Sequence, residues 1–128
     1  MLTSDAVIDL QLHTTYSDGA WVPEQLIDYL LREGFELAAI TDHDCLNSIE
    51  TLQQLASQKR MPLLVATEMT ASWRGKVTDV LCYGVDPENT ELNDLAQDIL
   101  RRQQANTREV YENIRGKIMS ESHRIPMN

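Results

Sequence analysis

The sequence predicts an α/β fold in which about four mostly parallel strands alternate with flanking helices, followed by a long C-terminal helix. Two observations indicate this class. Short apolar runs of strand length recur along the chain, and amphipathic patterns with helical spacing separate them. Parallel neighbours need a crossover between them, usually a helix, so this alternation favours a parallel sheet. With 128 residues, the chain is long enough for one domain with a core.

The first helix is predicted between the first two strands of the chain. Residues 6–12 are short and β-prone and are followed by a Ser-Asp-Gly turn, which predicts the first strand. Pro23 is typical of a first helical position, apolar residues follow at helical spacing, and Gly34 suits the helix end. Residues 37–40 form a wholly apolar run, which is typical of a buried parallel strand.

A second helix leads into the remaining strands. Asn47 and Glu50 have the spacing of a capping pair and predict the start of this helix. Residues 62–66 predict a third strand, and residues 77–85 predict a fourth that ends in a turn.

A long helical pattern covers residues 91–118. Asp98 and Arg102 lie four residues apart in it, so we expect them to pair on the exposed side. We therefore expect residues 1–118 to form one partial domain and residues 119–128 to form a C-terminal tail.

Composition limits the possible partners. The formal net charge is −9, and residues 1–93 hold 15 of the 20 acidic side chains, so coating of nucleic acid is disfavoured. We expect no membrane association, because no apolar run reaches the roughly 20 residues that span a bilayer. The N-terminus lacks the pattern of a signal peptide. The two cysteines form no disulfide framework, which favours free thiols and a cytoplasmic protein.

Ionisable and polar residues follow the predicted strands. Parallel strands place their C-terminal ends on one side, so these residues are expected to converge there. Imidazole and carboxylate ligands suit Zn, Mn or Fe. Each segment by itself also resembles a common surface turn or helix cap, and only their joint placement indicates a metal site. The residues concerned are His13, Asp18, His43, Glu68 and Asp79, with Gln11 on the same strand face as His13.

The same segments carry a family resemblance. Residues 9–19 read DLQLHTTYSDG, residues 40–44 read ITDHD, residues 67–68 read TE and residues 81–86 read LCYGVD. Together they resemble the opening motifs of the polymerase-and-histidinol-phosphatase (PHP) family, over nearly all of the chain to residue 118. The nearest relatives resemble stand-alone bacterial phosphoesterases of the nucleoside-bisphosphate phosphatase and 5′-exonuclease type. The resemblance implies a partial (β/α) barrel and a hydrolase that cleaves phosphate esters with metal-bound hydroxide.

Position by position, the resemblance implies that His13, Asp18, His43 and Glu68 are metal ligands. Two ligand positions depart from the family pattern, because Gln11 and Asp79 stand where the family has histidine. Gln offers only a neutral amide oxygen, whereas Asp is a competent hard ligand. No catalytic side chain is assigned apart from these ligands.

The family's remaining ligands belong to the second half of its barrel, which residues 1–128 do not match. The chain is therefore expected to bind Mn, Zn or Fe in reduced amount or not at all, and to have weak or no activity on a phosphorylated small molecule or nucleotide. The alternative is a degenerate, non-catalytic module that acts in oligomeric assembly or ligand binding. In either case the open edge of a partial barrel favours a homo-oligomer.

Arg74 and Lys76 form the last candidate feature. They follow Glu68 closely and supply cations that a substrate phosphate can meet. A charged surface hairpin is the plainer interpretation of the same residues.

Overall fold

The computed structural model describes residues 2–122, with side chains described through residue 118. In chain order the elements are β1 (Ile8–Leu12), α1 (Pro23–Arg32), β2 (Leu37–Ile40), α2 (Ile49–Lys59), β3 (Leu63–Leu64), β4 (Ala66–Trp73), β5 (Lys76–Tyr83) and α3 (Thr90–Ser122). The α/β class, the mostly parallel sheet and the long C-terminal helix are confirmed. A boundary between two structural units falls inside α3, between Gln97 and Asp98.

The three-stranded sheet is parallel, with the order β1-β2-β3. Its central strand is almost completely buried. The core is built from the apolar faces of α1 and α2 and from β2; its buried members are Leu26, Ile27, Leu30, Ala38, Ile40, Leu52, Ala56 and Met61. This packing holds β2 rigidly and so fixes the point at which the chain leaves it.

Helix α1 has the ends that the sequence predicts. It begins at Pro23, and Gly34 follows it with φ at +79°, a conformation that glycine adopts without steric cost. The Phe35 amide donates to the Leu30 carbonyl at 2.9 Å, which satisfies one carbonyl of the last turn. Lys59 at the end of α2 pairs with Asp28 on α1, and this hydrogen bond raises the pKa of the Lys59 ammonium.

The predicted capping pair of α2 is wrong. The helix begins at Ile49, and among the described residues no side chain caps its N-terminus by a hydrogen bond. Asn47 instead lies beside Cys45, whose Sγ donates to Asn47 Oδ1 at 3.1 Å. Ile49 and Leu52 on the apolar face of the helix are buried.

The third strand differs from the prediction, whereas the fourth is found as β5 within two residues of its predicted bounds. The parallel strand β3 has only two residues, and Glu68 lies inside the next strand, β4, rather than after the third strand. Strand β5 runs antiparallel to β4, with Glu68 opposite Leu81 and Thr70 opposite Asp79. The start of β4 attaches to the chain after β2, because the Glu68 amide donates to the Asp42 carbonyl at 3.2 Å.

A two-residue turn joins β4 to β5. Arg74 has φ at +50° and Gly75 has φ at +76°, the positive values that a type I′ turn requires at both central residues. This turn matches the twist of the strands and sets their register. Trp73 and Val77 beside it are strongly exposed, at 70% and 75%.

Helix α3 begins at Thr90, and the Leu92 amide donates to the side-chain oxygen of Asn89 at 2.8 Å, which caps the helix. The predicted pair of Asp98 and Arg102 is confirmed, with Nε and Oδ2 2.6 Å apart. The helix continues to Ser122, so the first residues of the predicted tail are helical, and residues 123–128 lie outside the described residues. Along residues 2–122, none of the helices combines the length and apolar character needed to cross a bilayer.

Candidate metal centre

Five predicted site residues lie together: His13, Asp18, His43, Glu68 and Asp79. His13 approaches Asp18 through Nδ1, at 3.4 Å from Oδ1, and Glu68 through Nε2, at 3.2 Å from Oε2. His43 Nε2 lies 3.8 Å from an oxygen of each of these two carboxylates. The two imidazole rings stack with their centroids 4.8 Å apart.

The cluster forms two groups of three potential ligands that share His43. One group contains His13 and Asp18, and the other contains Glu68 and Asp79. In each group the ligand atoms lie within 4.8 Å of one another, a spacing that a single cation can bridge. The first group offers two imidazoles and one carboxylate, whereas the second offers one imidazole and two carboxylates. The second is therefore the harder donor set.

Two atoms of the cluster lack the partners that buried polar atoms usually have. Within the described residues, His13 Nδ1 and Glu68 Oε2 are buried without a hydrogen bond. Asp18 Oδ1 is 3.4 Å from His13 Nδ1, but this contact lacks hydrogen-bond geometry. Buried polar groups without partners are rare and costly. Because imidazole nitrogen and carboxylate oxygen are ligands for Zn, Mn and Fe, these residues fit a divalent cation.

Asp42 holds the loop between His13 and Asp18 in place. Its Oδ1 accepts from the Thr14 amide at 2.7 Å and from the Ser17 hydroxyl at 2.6 Å, and its Oδ2 accepts from the Thr14 hydroxyl at 2.7 Å. Asp42 and Thr14 are both fully buried. The carboxylate therefore orients the two ligands that flank the loop, although it belongs to neither group of ligands.

Asp44 contacts β4 on the other side of His43. Its amide donates to the Glu68 carbonyl at 2.8 Å, and its carboxylate accepts from both the amide and the hydroxyl of Thr70, each at 2.8 Å. Taken singly, Asp42 and Asp44 have the sequence pattern of ordinary helix caps. The only available signal was their position on either side of a predicted ligand histidine.

Gly19 closes the first ligand loop tightly. A Cβ atom at this position would lie 2.3 Å from the His13 carbonyl oxygen and 2.6 Å from the Thr14 amide nitrogen. The Gly19 amide also donates to the Thr14 carbonyl at 2.9 Å. The close backbone approach therefore requires glycine, and it brings Asp18 back toward His13.

Three predicted site residues lie outside the cluster of five. Gln11 lies in β1, two residues before His13, and is exposed. Arg74 and Lys76 lie at the tip of the β4–β5 hairpin, where the Arg74 guanidinium stacks on Trp73 at 5.5 Å. Lys76 is three residues from Asp79, which corresponds to about 10 Å along a strand. Their predicted part in substrate binding remains a prediction.

Comparison with known proteins agrees with the fold and identifies the family. The PHP domain model matches residues 9–120. Over 87 residues the chain is 33% identical to a 3′,5′-nucleoside bisphosphate phosphatase of Chromobacterium violaceum. This alignment covers 68% of this chain and 30% of the relative. It is also 32% identical over 105 residues to a 5′-3′ exoribonuclease of Salmonella typhimurium, in an alignment that covers 79% of this chain and 36% of the relative. The chain thus spans about a third of the length of these relatives.

Solved structures show the same architecture. An amidohydrolase from Chromobacterium violaceum, solved with bound sulfate and no metal, superimposes with a TM-score of 0.80 at 28% identity, over 88% of this chain and 39% of that one. A structure from Bifidobacterium adolescentis, named as a metal-dependent phosphoesterase, also gives a TM-score of 0.80, at 23% identity. The superposition covers 97% of this chain and 41% of that one. The second match supports the fold alone.

The family model, the relatives and the solved structures all point to one family. The chain belongs to the PHP domain family, as its motifs predicted.

Proposed function

We propose that this chain binds a divalent cation through His13, Asp18, His43, Glu68 and Asp79, as part of a phosphoesterase that hydrolyses phosphate esters. The convergence of these five side chains, with two buried atoms left without hydrogen bonds, is the observation that carries the proposal. Zn, Mn and Fe suit the mixed donor set.

A bound divalent cation would supply Lewis acidity toward a phosphoryl oxygen and make a coordinated water more acidic. The residues of this chain hold the potential ligands in a fixed arrangement. Asp42 holds the loop that carries His13 and Asp18, and the backbone bridge from His43 to Glu68 joins the two halves of the centre. Donors fixed in this way need little reorganisation when an ion binds.

The proposed substrate class is a phosphorylated small molecule or a nucleotide. The relatives are named as a nucleoside bisphosphate phosphatase and as exoribonucleases, which all act on phosphate esters. A cytoplasmic location belongs to the same proposal, because Cys45 and Cys82 are free thiols, which suits a reducing compartment.

We expect weak or no turnover from the isolated chain. Gln11 replaces an imidazole that the family pattern expects, and an amide oxygen is a weaker ligand for Zn or Mn. An assay with Mn²⁺ and a chromogenic phosphate ester measures this directly. Robust turnover that His43→Ala abolishes would contradict the expectation of weak activity while supporting the metal site.

Metal content tests the proposal most directly. The purified chain, loaded with Zn²⁺ or Mn²⁺ and then desalted, should retain metal by elemental analysis. His43→Ala should lose it, because His43 belongs to both groups of ligands. His123→Ala is the matched control, since His123 matches none of the motifs and should not alter retention. A wild-type chain that retains no metal, or a His43→Ala variant that retains as much as wild type, would overturn the proposal.

A second candidate function is that of a non-catalytic assembly module. Exposed apolar side chains on the hairpin and on α3 favour it; they include Trp73, Val77, Val80, Tyr111, Ile114 and Ile118. Large exposed apolar patches commonly mark interaction surfaces. A chain that is well folded without metal and that self-associates would support this function over the first.

A further inference from the structure

Asp44 contacts the metal centre from outside it. It belongs to neither group of potential ligands, yet it is 95% buried and touches β4 at two points. Its amide donates to the Glu68 carbonyl, and its carboxylate accepts from the amide of Thr70, both at 2.8 Å. Asp44 therefore fixes the segment of β4 that carries Glu68.

Thr70 connects Asp44 to the second strand of the hairpin. The Thr70 hydroxyl lies 2.8 Å from Asp44 Oδ2 and 3.3 Å from Asp79 Oδ1. Thr70 and Asp79 are directly opposite each other in the β4–β5 register. One hydroxyl therefore stands between a carboxylate outside the cluster and a carboxylate inside it.

The hydroxyl has a single proton to donate. Both carboxylate oxygens lie within hydrogen-bond distance of the hydroxyl, which donates to Asp44 at 2.8 Å and more weakly to Asp79 at 3.3 Å. An ionised carboxylate only accepts hydrogen bonds, and an oxygen that accepts one keeps further lone pairs for a cation. The hydroxyl therefore orients the Asp79 carboxylate without preventing it from binding an ion.

We propose that Asp44 is a positioning residue that, through Thr70, holds Glu68 and Asp79 in place as ligands for a hard divalent cation such as Mn²⁺. This inference rests on the proposed metal-binding function. It adds Asp44, which acts through neighbouring residues, to the description of the site. It also identifies the Thr70 hydroxyl as the group that orients the carboxylate of Asp79.

The backbone conformation of Asp44 makes asparagine a suitable substitution at this position. Its φ is +48°, in the left-handed region that Asp and Asn tolerate better than most residues. Asp44→Asn keeps that backbone and an oxygen that can accept from the Thr70 amide. Its NH2 group, however, cannot accept from the Thr70 hydroxyl, so the hydrogen bond that fixes this hydroxyl is lost.

The experiment measures the Kd of Mn²⁺ by the EPR signal of the free ion. Asp44→Asn and Thr70→Val should each weaken Mn²⁺ binding by about 10–100-fold, the usual effect of losing a partner that orients metal ligands. Thr70→Ser, which keeps the hydroxyl, should bind as wild type. Asp5→Asn is the control for loss of one exposed carboxylate and should not change the Kd. Thermal unfolding in EDTA checks that every variant is folded.

The outcomes separate the two proposals. A wild-type chain that binds no Mn²⁺ overturns the proposed function and this inference with it. Wild-type affinity retained by both Asp44→Asn and Thr70→Val, in a chain that binds Mn²⁺, overturns only the role of Asp44. Loss of affinity in Thr70→Ser as large as that in Thr70→Val also overturns it, because the hydroxyl would then be irrelevant.

Discussion

His43 stands between two buried carboxylates, and the three neighbouring side chains have different functions in the structure. The imidazole faces the cluster, Asp42 holds the loop that follows β1, and Asp44 holds β4. The residue types of the site were predictable, because histidine and carboxylate side chains follow apolar runs. The supporting roles of Asp42 and Asp44 were not, since they depend on which hydroxyls and amides lie nearby. Thr14 and Thr70 supply those donors from distant segments.

Gly19 gives a prediction at the residue scale. Gly19→Ala places a methyl group 2.3 Å from the His13 carbonyl oxygen, so the loop backbone must move. Overpacking of this kind should lower the free energy of unfolding by about 1–3 kcal/mol, and the shifted loop should also weaken metal retention. Urea denaturation in EDTA and elemental analysis measure the two effects.

Gly116→Ala is the matched control, because nothing lies within 4 Å of the added methyl group in α3. Alanine favours a helix over glycine by about 1 kcal/mol, so this variant should be at least as stable as wild type. Equal stability of Gly19→Ala and wild type would show that the loop is not as tightly closed as described.

Among the elements, the strands with continuous apolar character and a charged hairpin around Arg74 were predicted, but strand β4 was not. Residues 37–40 are buried almost completely and have the apolar pattern of a strand. In β4, Thr67 and Thr70 interrupt the apolar pattern because their hydroxyls bond to the segment after β2. A polar residue satisfied by a distant partner looks like a loop residue in the sequence. The bounds of β4 and its antiparallel pairing with β5 therefore required the structure.

The turn of the hairpin gives a prediction at the element scale. At Gly75 the Cβ position is open, but φ is +76°, so substitutions there should act through backbone strain alone. Gly75→Val should cost about 1–2 kcal/mol of unfolding free energy, whereas Gly75→Asn should cost clearly less, because Asn tolerates this region. Chemical denaturation of the two variants side by side tests this. Equal stabilities would indicate that the turn is not of type I′ in solution.

At the scale of the whole molecule, apolar surface remains exposed. Val77 and Trp73 on the hairpin and Tyr111 on α3 are at least 60% exposed. Isolated exposed apolar residues are normal, but several on one element commonly mark an interface. The matched region makes up only about a third of each relative, so in those proteins it is accompanied by further chain.

We predict that the chain self-associates through these surfaces. Light scattering coupled to size exclusion should give a mass that is a multiple of the monomer mass. Replacing Val77 and Tyr111 by lysine should shift the population toward the monomer, because a buried charge without a partner is strongly unfavourable. Lysine at the already exposed, polar positions Thr78 and Gln104 serves as the control for added charge. A monodisperse wild-type monomer would contradict the prediction.

The pairing of β4 with β5 decides which side chain of the second strand belongs to the candidate metal centre. Neighbouring residues of a strand point to opposite faces, so a slip of one step in this pairing would offer Thr78 or Val80 in place of Asp79. Arg74 and Gly75 fix the alignment from the far end of the ribbon. Sequence changes at that distant bend can therefore alter the donor set of the centre without replacing any of its residues.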